Sequence, residues 1–140
     1  MSLLLAIETS CDETAAAVLK NSDDVLANVV YSQIAEHSKY GGVVPEIASR
    51  SHLEALPRLM QETLHLAKVE WEAIDAFAAT TGPGLAPALL VGANAARGLA
   101  AGARKPFLGI NHLEGHLLSP FFCQSEIPPH AALVVSGGHT

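Results

Sequence analysis

The chain has 140 residues, of which 49% are hydrophobic and 16% are charged, and its formal net charge is −6. This composition excludes an intrinsically disordered chain, and the length fits one domain at most. Two cysteines, Cys11 and Cys123, exclude a disulfide scaffold, and the acidic balance gives no electrostatic case for nucleic-acid binding by this chain alone. No apolar run has the features of a signal peptide or the length of a membrane span, so we expect a soluble, cytoplasmic protein.

Apolar periodicity predicts an alternation of strands and helices. The predicted elements are strands at residues 3–8, 15–19 and 25–33, a helix at 46–67, a strand at 73–81, a helix at 85–103, a strand at 107–110, a helix at 111–121 and a strand at 132–136. Pro57 lies inside the first helix and predicts a kink or a break there. The order β-β-β-α-β-α-β-α-β is typical of a mixed α/β sheet with flanking helices, and it matches the half-unit of the actin, hexokinase and Hsp70 (ASKHA) architecture.

Two histidines four residues apart give the clearest chemical signal. On the helix predicted after Asn111, His112 and His116 project from one face and could chelate one metal ion, with two unrelated surface histidines as the alternative. The helix follows a strand end, where α/β sheets usually bind ligands, and this favours the metal interpretation. Glu114 lies about 200° around the helix from His112, so it cannot serve as the general base of an H-E-x-x-H metallopeptidase. Two imidazoles also need a third protein ligand.

Three polar or glycine-rich segments also follow predicted strands, at residues 8–14, 80–84 and 136–140. Each can be a simple tight turn, but backbone N–H groups, hydroxyls and glycines at strand ends also suit a phosphate or an acyl-adenylate. We expect these segments and the histidine pair to converge on one edge of the sheet as a nucleotide-plus-metal site. Glu62 and His65 have the spacing of a di-iron helix, but no second such pair exists, so we expect them on an exposed helix face.

Several longer motifs point to one family. They are IETSCDET at 7–14, YGGVVPEIASR at 40–50, GPG at 82–84 with LVG at 90–92, NHLEGH at 111–116 and VSGGHT at 135–140. Together they resemble the bacterial form of the TsaD/Gcp family, threonylcarbamoyltransferases that modify tRNA and were formerly labelled O-sialoglycoprotein endopeptidases. The resemblance implies an actin-like fold of two lobes. It also implies transfer of a threonylcarbamoyl group from threonylcarbamoyl-AMP to N6 of the adenosine beside the anticodon, in tRNAs that read codons beginning with A.

The same resemblance implies roles for individual residues. His112 and His116 become the histidine ligands of a divalent metal, iron first and zinc as the alternative, and an aspartate beyond this chain becomes the third ligand. The residues implied to contact threonylcarbamoyl-AMP or an ATP-type nucleotide are Val134, Val135, Ser136, Gly137 and Gly138. The residues expected near the site are Glu8, Thr9, Ser10, Asp12 and His139. No residue is an evident general base, so the catalytic group stays unassigned.

The resemblance also bears on extent and partners. The family is longer than this chain, which implies an N-terminal portion with the first lobe at residues 1–129, the start of the second at 130–140, and no activity on its own. The implied partners are tRNA, a TsaB-like actin-fold paralogue and a TsaE-like ATPase subunit, with no membrane. Two other functions stay open. One is the metallopeptidase of the older family label, and the other is a non-catalytic scaffold like the TsaB-like paralogues, which lack the paired histidines.

Overall fold

A computed structural model describes residues 2–21, 23–122, 124 and 126–135, and a single five-stranded sheet lies at its centre. The strands are β1 (Leu3–Glu8), β2 (Glu13–Lys20), β3 (Asp24–Ser32), β4 (Ala76–Gly82) and β5 (Phe107–Asn111). The helices are α1 (Ile34–His37), α2 (Pro45–Ala67), α3 (Ala86–Ala103) and α4 (His112–Leu118), with short 3-10 turns at Ser38–Tyr40, Trp71–Ala73 and Ser119–Phe121. The mixed sheet and its flanking helices confirm the predicted fold class.

The strand order across the sheet is β3-β2-β1-β4-β5. The first three strands of the chain form an antiparallel meander, whereas β1 pairs parallel with β4, and β4 pairs parallel with β5. Parallel neighbours end at the same edge of a sheet. The carboxyl ends of β1, β4 and β5 therefore lie side by side, and the segments that follow them meet there.

The core lies between one face of the sheet and the helices α2 and α3. Leu3, Leu5 and Ile7 of β1 are buried, while the residues between them are only half-buried, as the period of two in a strand requires. Apolar side chains of α2 pack on the same face, and the buried side of α3 consists of alanine and glycine. Because these side chains are small, the backbone of α3 lies close to the sheet, and this closeness shapes the site described below.

The structure corrects the predicted elements at several points. The strand predicted at 73–81 begins only at Ala76, because residues 71–73 form a 3-10 turn in which the N–H of Ala73 bonds to Glu70. The helix predicted at 111–121 ends at Leu118 and continues as a 3-10 turn that contains Pro120. The short helix α1 was not predicted. The boundary expected at residue 129 stays a prediction.

The structure also corrects the break expected at Pro57 and the last expected strand, while a kink at Pro57 stays a prediction. The helix α2 runs unbroken across Pro57, which is exposed together with Leu53, so water can satisfy the carbonyl that proline leaves unbonded. Residues 132–135 do not form the last predicted strand, and Leu133 and Val135 are 86% and 70% exposed. An apolar run becomes a strand only where a neighbouring strand pairs with it. Within the described ranges, no helix is long and apolar enough to cross a membrane.

Candidate functional site

Three of the four segments expected to converge do meet at the carboxyl edge of the sheet. Glu8 at the end of β1 accepts hydrogen bonds from the hydroxyl of Thr80 on β4 and from the N–H of Ser10. The carbonyl of Ser10 accepts from the N–H of Leu85, just before α3, at 2.8 Å. The hydroxyl of Ser10 lies 3.2 Å from Nδ1 of His112, the first residue of α4. The fourth segment, residues 136–140, lies outside the described residues.

The histidine pair on α4 has the geometry of a chelating pair. Nε2 of His112 and Nε2 of His116 are 3.1 Å apart, and the two rings are almost perpendicular at 87°. Two metal–nitrogen bonds of about 2.1 Å that enclose roughly 95° end about 3.1 Å apart, so this separation matches that of two nitrogens bound to one ion. The pair therefore fits a divalent metal on its own geometry.

The second nitrogen of His112 faces acceptors on the turn after β1. Nδ1 lies 3.2 Å from the Ser10 hydroxyl and 3.6 Å from Oε2 of Glu8. A carboxylate beside Nδ1 favours the tautomer that carries its hydrogen on Nδ1, which leaves the lone pair of Nε2 for a ligand. Glu8 and Ser10 thus orient His112 in the sense that metal binding requires.

Local bonds set the start of α4. The side-chain oxygen of Asn111 accepts from the N–H groups of Leu113 at 2.9 Å and Glu114 at 3.2 Å, which is a helix N-cap. The cap starts the helix at His112 and so places His116 one turn later on the same face. Glu114 is exposed, and the helical geometry keeps it about 200° from His112.

The two histidines alone make an incomplete metal shell. Among the described residues, no group of three or more His, Cys, Asp or Glu side chains could hold a metal ion. Asp12 is half-buried on the turn. In the part of the chain that the structure describes, it makes no hydrogen bond to His112 or His116. A metal ion held by these two histidines would need a third protein ligand from outside the described residues.

Thr9 lies next to the site along the chain, but its side chain points away from it. The residue is buried, its hydroxyl donates to the carbonyl of Ala88 at 2.8 Å, and it accepts from the N–H of Gly92 at 3.1 Å. A Cβ atom at Gly92 would lie only 2.5 Å from that hydroxyl oxygen. Thr9 therefore ties the end of β1 to α3 and is not available to a ligand.

The remaining predicted residues contribute less to this geometry. Glu62 and His65 are exposed on α2, as expected for a solvated face. Val134 is half-buried and Val135 exposed, and Ser136, Gly137, Gly138 and His139 lie outside the described residues.

Other features of the site could not be identified from the sequence. Thr80 belongs to a segment that we expected at the site, but its bond to Glu8 was not predicted, and His52 is a buried histidine within the apolar stripe of α2. Cys11 is a free thiol on the turn, and burial, followed by the charge of Asp12, raises its pKa.

Comparison with known proteins identifies close relatives. The family profile described as TsaD, tRNA N6-adenosine threonylcarbamoyltransferase, matches residues 24–140. A protein of that name from Clostridium perfringens is 54% identical over 139 residues, which cover 99% of this chain and 41% of the relative. One from Cyanothece sp. is 55% identical over 141 residues, which cover 100% of this chain and 41% of the relative. The chain thus spans about two fifths of the length of these relatives.

A solved structure shares the fold. YeaZ from Pseudomonas aeruginosa aligns with a TM-score of 0.65 at 25% identity, over 89% of this chain and 50% of that one. This likeness agrees with the actin-like architecture expected from the order of strands and helices.

Proposed function

The chain belongs to the TsaD family of tRNA N6-adenosine threonylcarbamoyltransferases, and from this premise we propose that the whole protein transfers a threonylcarbamoyl group from threonylcarbamoyl-AMP to tRNA. The acceptor is N6 of the adenosine beside the anticodon, in tRNAs that read codons beginning with A. The observation that carries the proposal is the convergence of the Nε2 atoms of His112 and His116, 3.1 Å apart, at the edge where three strand ends meet.

His112 and His116 would hold a divalent metal, Fe²⁺ first and Zn²⁺ as the alternative, with an aspartate outside this chain as third ligand. When bound, such an ion polarises a carbonyl oxygen and neutralises negative charge on a leaving phosphate. The residues of this chain prepare the site. Glu8 and Ser10 would favour the hydrogen on Nδ1 of His112, and the Asn111 cap begins the helix that places both histidines on one face.

The nucleotide and the partners are part of the same proposal. Residues 134–138 would contact threonylcarbamoyl-AMP where the first lobe, residues 1–129, passes into the second. Because this chain has a net charge of −6, the surface that binds the tRNA backbone would lie mainly outside it. A TsaB-like actin-fold paralogue and a TsaE-like ATPase subunit would complete the assembly.

The two alternative functions have weaker support. A metallopeptidase of the H-E-x-x-H type needs a carboxylate beside the metal, and the helical geometry of α4 turns Glu114 away from the pair. A scaffold without chemistry would not need converging histidine nitrogens or the Glu8 and Ser10 acceptors behind them.

The test uses the whole protein with its partner subunits, synthetic threonylcarbamoyl-AMP and unmodified tRNA, and measures the modified nucleoside by mass spectrometry. Loss of a residue that hydrogen-bonds to a metal ligand costs about 10- to 100-fold in activity. The double variant His112→Ala with His116→Ala removes the ligands themselves and should lose more than that. His65→Ala, an exposed histidine on α2, is the matched control and should keep full activity. No product from the wild-type assembly, or undiminished product from the double variant, would refute the proposal.

A further inference from the structure

The turn between β1 and β2 has three consecutive carbonyl groups, and each accepts a hydrogen bond from a different part of the fold. The carbonyl of Ser10 accepts from the N–H of Leu85 at 2.8 Å, and that of Asp12 accepts from the N–H of Gln33 at 3.0 Å. The carbonyl between them, on Cys11, lies 3.0 Å from Nε2 of His52 on α2. His52 is therefore the side chain that completes the anchoring of this turn.

The hydrogen positions on His52 follow from its partners. A carbonyl oxygen can only accept, so Nε2 carries the hydrogen that Cys11 receives. Nδ1 then accepts from the hydroxyl of Thr14 at 2.7 Å and from the side-chain amide of Gln33 at 3.1 Å. The ring is 0% exposed, and burial lowers the pKa of His52, so the neutral ring is the form that these contacts describe.

Further hydrogen bonds, on the side of His52 that faces away from the turn, hold its ring in one orientation. The Nε2–H of His37 donates to Oε1 of Gln33 at 3.0 Å, and the N–H of Val44 donates to Nδ1 of His37 at 3.4 Å. Every donor in this series points the same way, from Val44 through His37, Gln33 and His52 to Cys11. In the described ranges, no buried side-chain nitrogen or oxygen lacks a partner. A satisfied buried network of this kind specifies one ring orientation.

The turn that His52 anchors is the one that faces His112. Ser10, directly before Cys11, places its hydroxyl 3.2 Å from Nδ1 of His112, and its N–H holds Glu8, the other acceptor beside that nitrogen. A displaced turn would therefore lose both groups that orient His112, the hydroxyl directly and the carboxylate through the N–H of Ser10.

We propose that His52 is a positioning residue for the histidine pair, because it fixes the Ser10–Cys11–Asp12 turn that orients His112. The inference rests on the metal-binding function proposed above. The alternative is that His52 only fills the core of α2, in which case an apolar side chain of similar size would leave the turn in place. The two ideas differ in what happens to the turn and to metal affinity when His52 is replaced.

The experiment compares variants of the whole protein. His52→Leu removes the donor to Cys11 and His52→Asn shortens the side chain so that its amide does not reach, whereas the longer amide of His52→Gln can still present an N–H there. Thr63→Val is the matched control, since Thr63 is also buried on α2 and its hydroxyl lies 3.3 Å from a β2 carbonyl, that of Ala16. Two quantities are measured: Co²⁺ affinity by absorbance titration, and the rate of Cys11 alkylation by peptide mass spectrometry, which separates Cys11 from Cys123.

We expect His52→Leu and His52→Asn to accelerate Cys11 alkylation several-fold and to lower Co²⁺ affinity about 10-fold. His52→Gln should restore most of both quantities, and Thr63→Val should change neither, although its melting temperature falls. If His52→Leu fails to fold, the comparison of Asn with Gln answers the same question.

The outcomes separate the two proposals. Wild-type alkylation and wild-type Co²⁺ affinity in His52→Leu and His52→Asn would overturn the inference, and so would a fall in affinity without faster alkylation. If alkylation accelerates but the wild type binds Co²⁺ no better than His112→Ala with His116→Ala, the proposed metal function fails, while the anchoring of the turn by His52 is supported.

Discussion

The turn after β1 and the helix α4 face each other across the candidate site, yet they are held in opposite ways. On the turn, Thr9 and Ser10 are buried, and the carbonyls of residues 10–12 are bound by three other parts of the fold. The helix α4 has seven residues, none of them buried, and its cap comes from the neighbouring Asn111. One wall of the site is therefore fixed by the fold before any ligand binds. The other is held by the local Asn111 cap and by the contact of His112 with Ser10.

The largest expected effect comes from breaking the fixed wall with Gly92→Ala. The new Cβ would lie 2.5 Å from the buried Thr9 hydroxyl, so we expect a loss of about 2 kcal/mol in the free energy of unfolding from overpacking. Gly98→Ala, on the same helix with nothing within 4 Å of the new atom, should instead stabilise by up to about 1 kcal/mol because alanine favours a helix. Thermal and denaturant unfolding measure both changes. Changes of the same sign would show that Thr9 does not hold α3 close to the sheet.

The second-largest expected effect comes from loosening α4, the wall that is held by local bonds. Asn111→Ala removes the cap of α4 and should cost about 1 kcal/mol, confined to this helix because it has no buried residue. Hydrogen exchange of the Leu113 and Glu114 amides should therefore accelerate while global unfolding hardly changes. Asn111→Asp keeps a capping oxygen and should exchange like the wild type. A shift of the global transition with unchanged local exchange would contradict this difference between the walls.

A third test uses pH, because the fixed wall contains a buried neutral histidine. Burial lowers the pKa of His52 in the folded protein, whereas in the unfolded chain it titrates near 6.5. The unfolded state therefore binds the proton first, so the stabilisation from neutral His52 is present above about pH 6.5 and is lost as the pH falls below it.

Between pH 7 and pH 6 the loss is at most about 0.7 kcal/mol. Glu8 and Asp12 oppose the lowering of this pKa and His37 adds to it, so these three groups must be kept unchanged in the comparison. Denaturant unfolding at several pH values should show a steeper decline for wild type than for His52→Gln. If the free energy of unfolding had the same pH dependence in wild type and His52→Gln, His52 would have the same pKa in the folded and unfolded states.

The smallest expected effect comes from a change at the contact between the turn and α4. Ser10→Ala removes the hydroxyl beside His112 but keeps the N–H that holds Glu8 and the carbonyl bonded to Leu85. We expect a cost of about 0.5 kcal/mol, equal to a two- to threefold fall in Co²⁺ affinity, with Cys11 alkylation unchanged. An effect as large as that of His52→Leu would assign the whole orientation of His112 to the hydroxyl.

The sequence predicted those parts of the site that follow from local periodicity. The bounds of β1 follow from its continuous apolar run, which ends at Glu8, and the common face of His112 and His116 follows from the helical period. The meeting of residues 8–14 with residues 80–84 was predictable because both segments follow strands.

The rest depends on contacts that no local pattern encodes. The sequence shows that Thr9 is polar but not that it faces α3, and it shows His52 in an apolar stripe without its partner, Cys11, 41 residues away. Residues 132–135 have the composition of a strand, but a strand also needs a neighbour to pair with.

The distances along the chain that join the turn to its partners have a consequence for the order of assembly. His52 follows Cys11 by 41 residues, and His112 follows Ser10 by 102. During synthesis the β1–β2 hairpin emerges long before its turn can be secured, because domains acquire such distant contacts only as the later segments leave the ribosome. The partners of the turn arrive in the order Gln33, His52 of α2, Leu85 just before α3, and then His112 of α4. For the same reason, the octapeptide IETSCDET transplanted into another protein would have the sequence of the turn but not the hydrogen-bond partners that hold the turn in place.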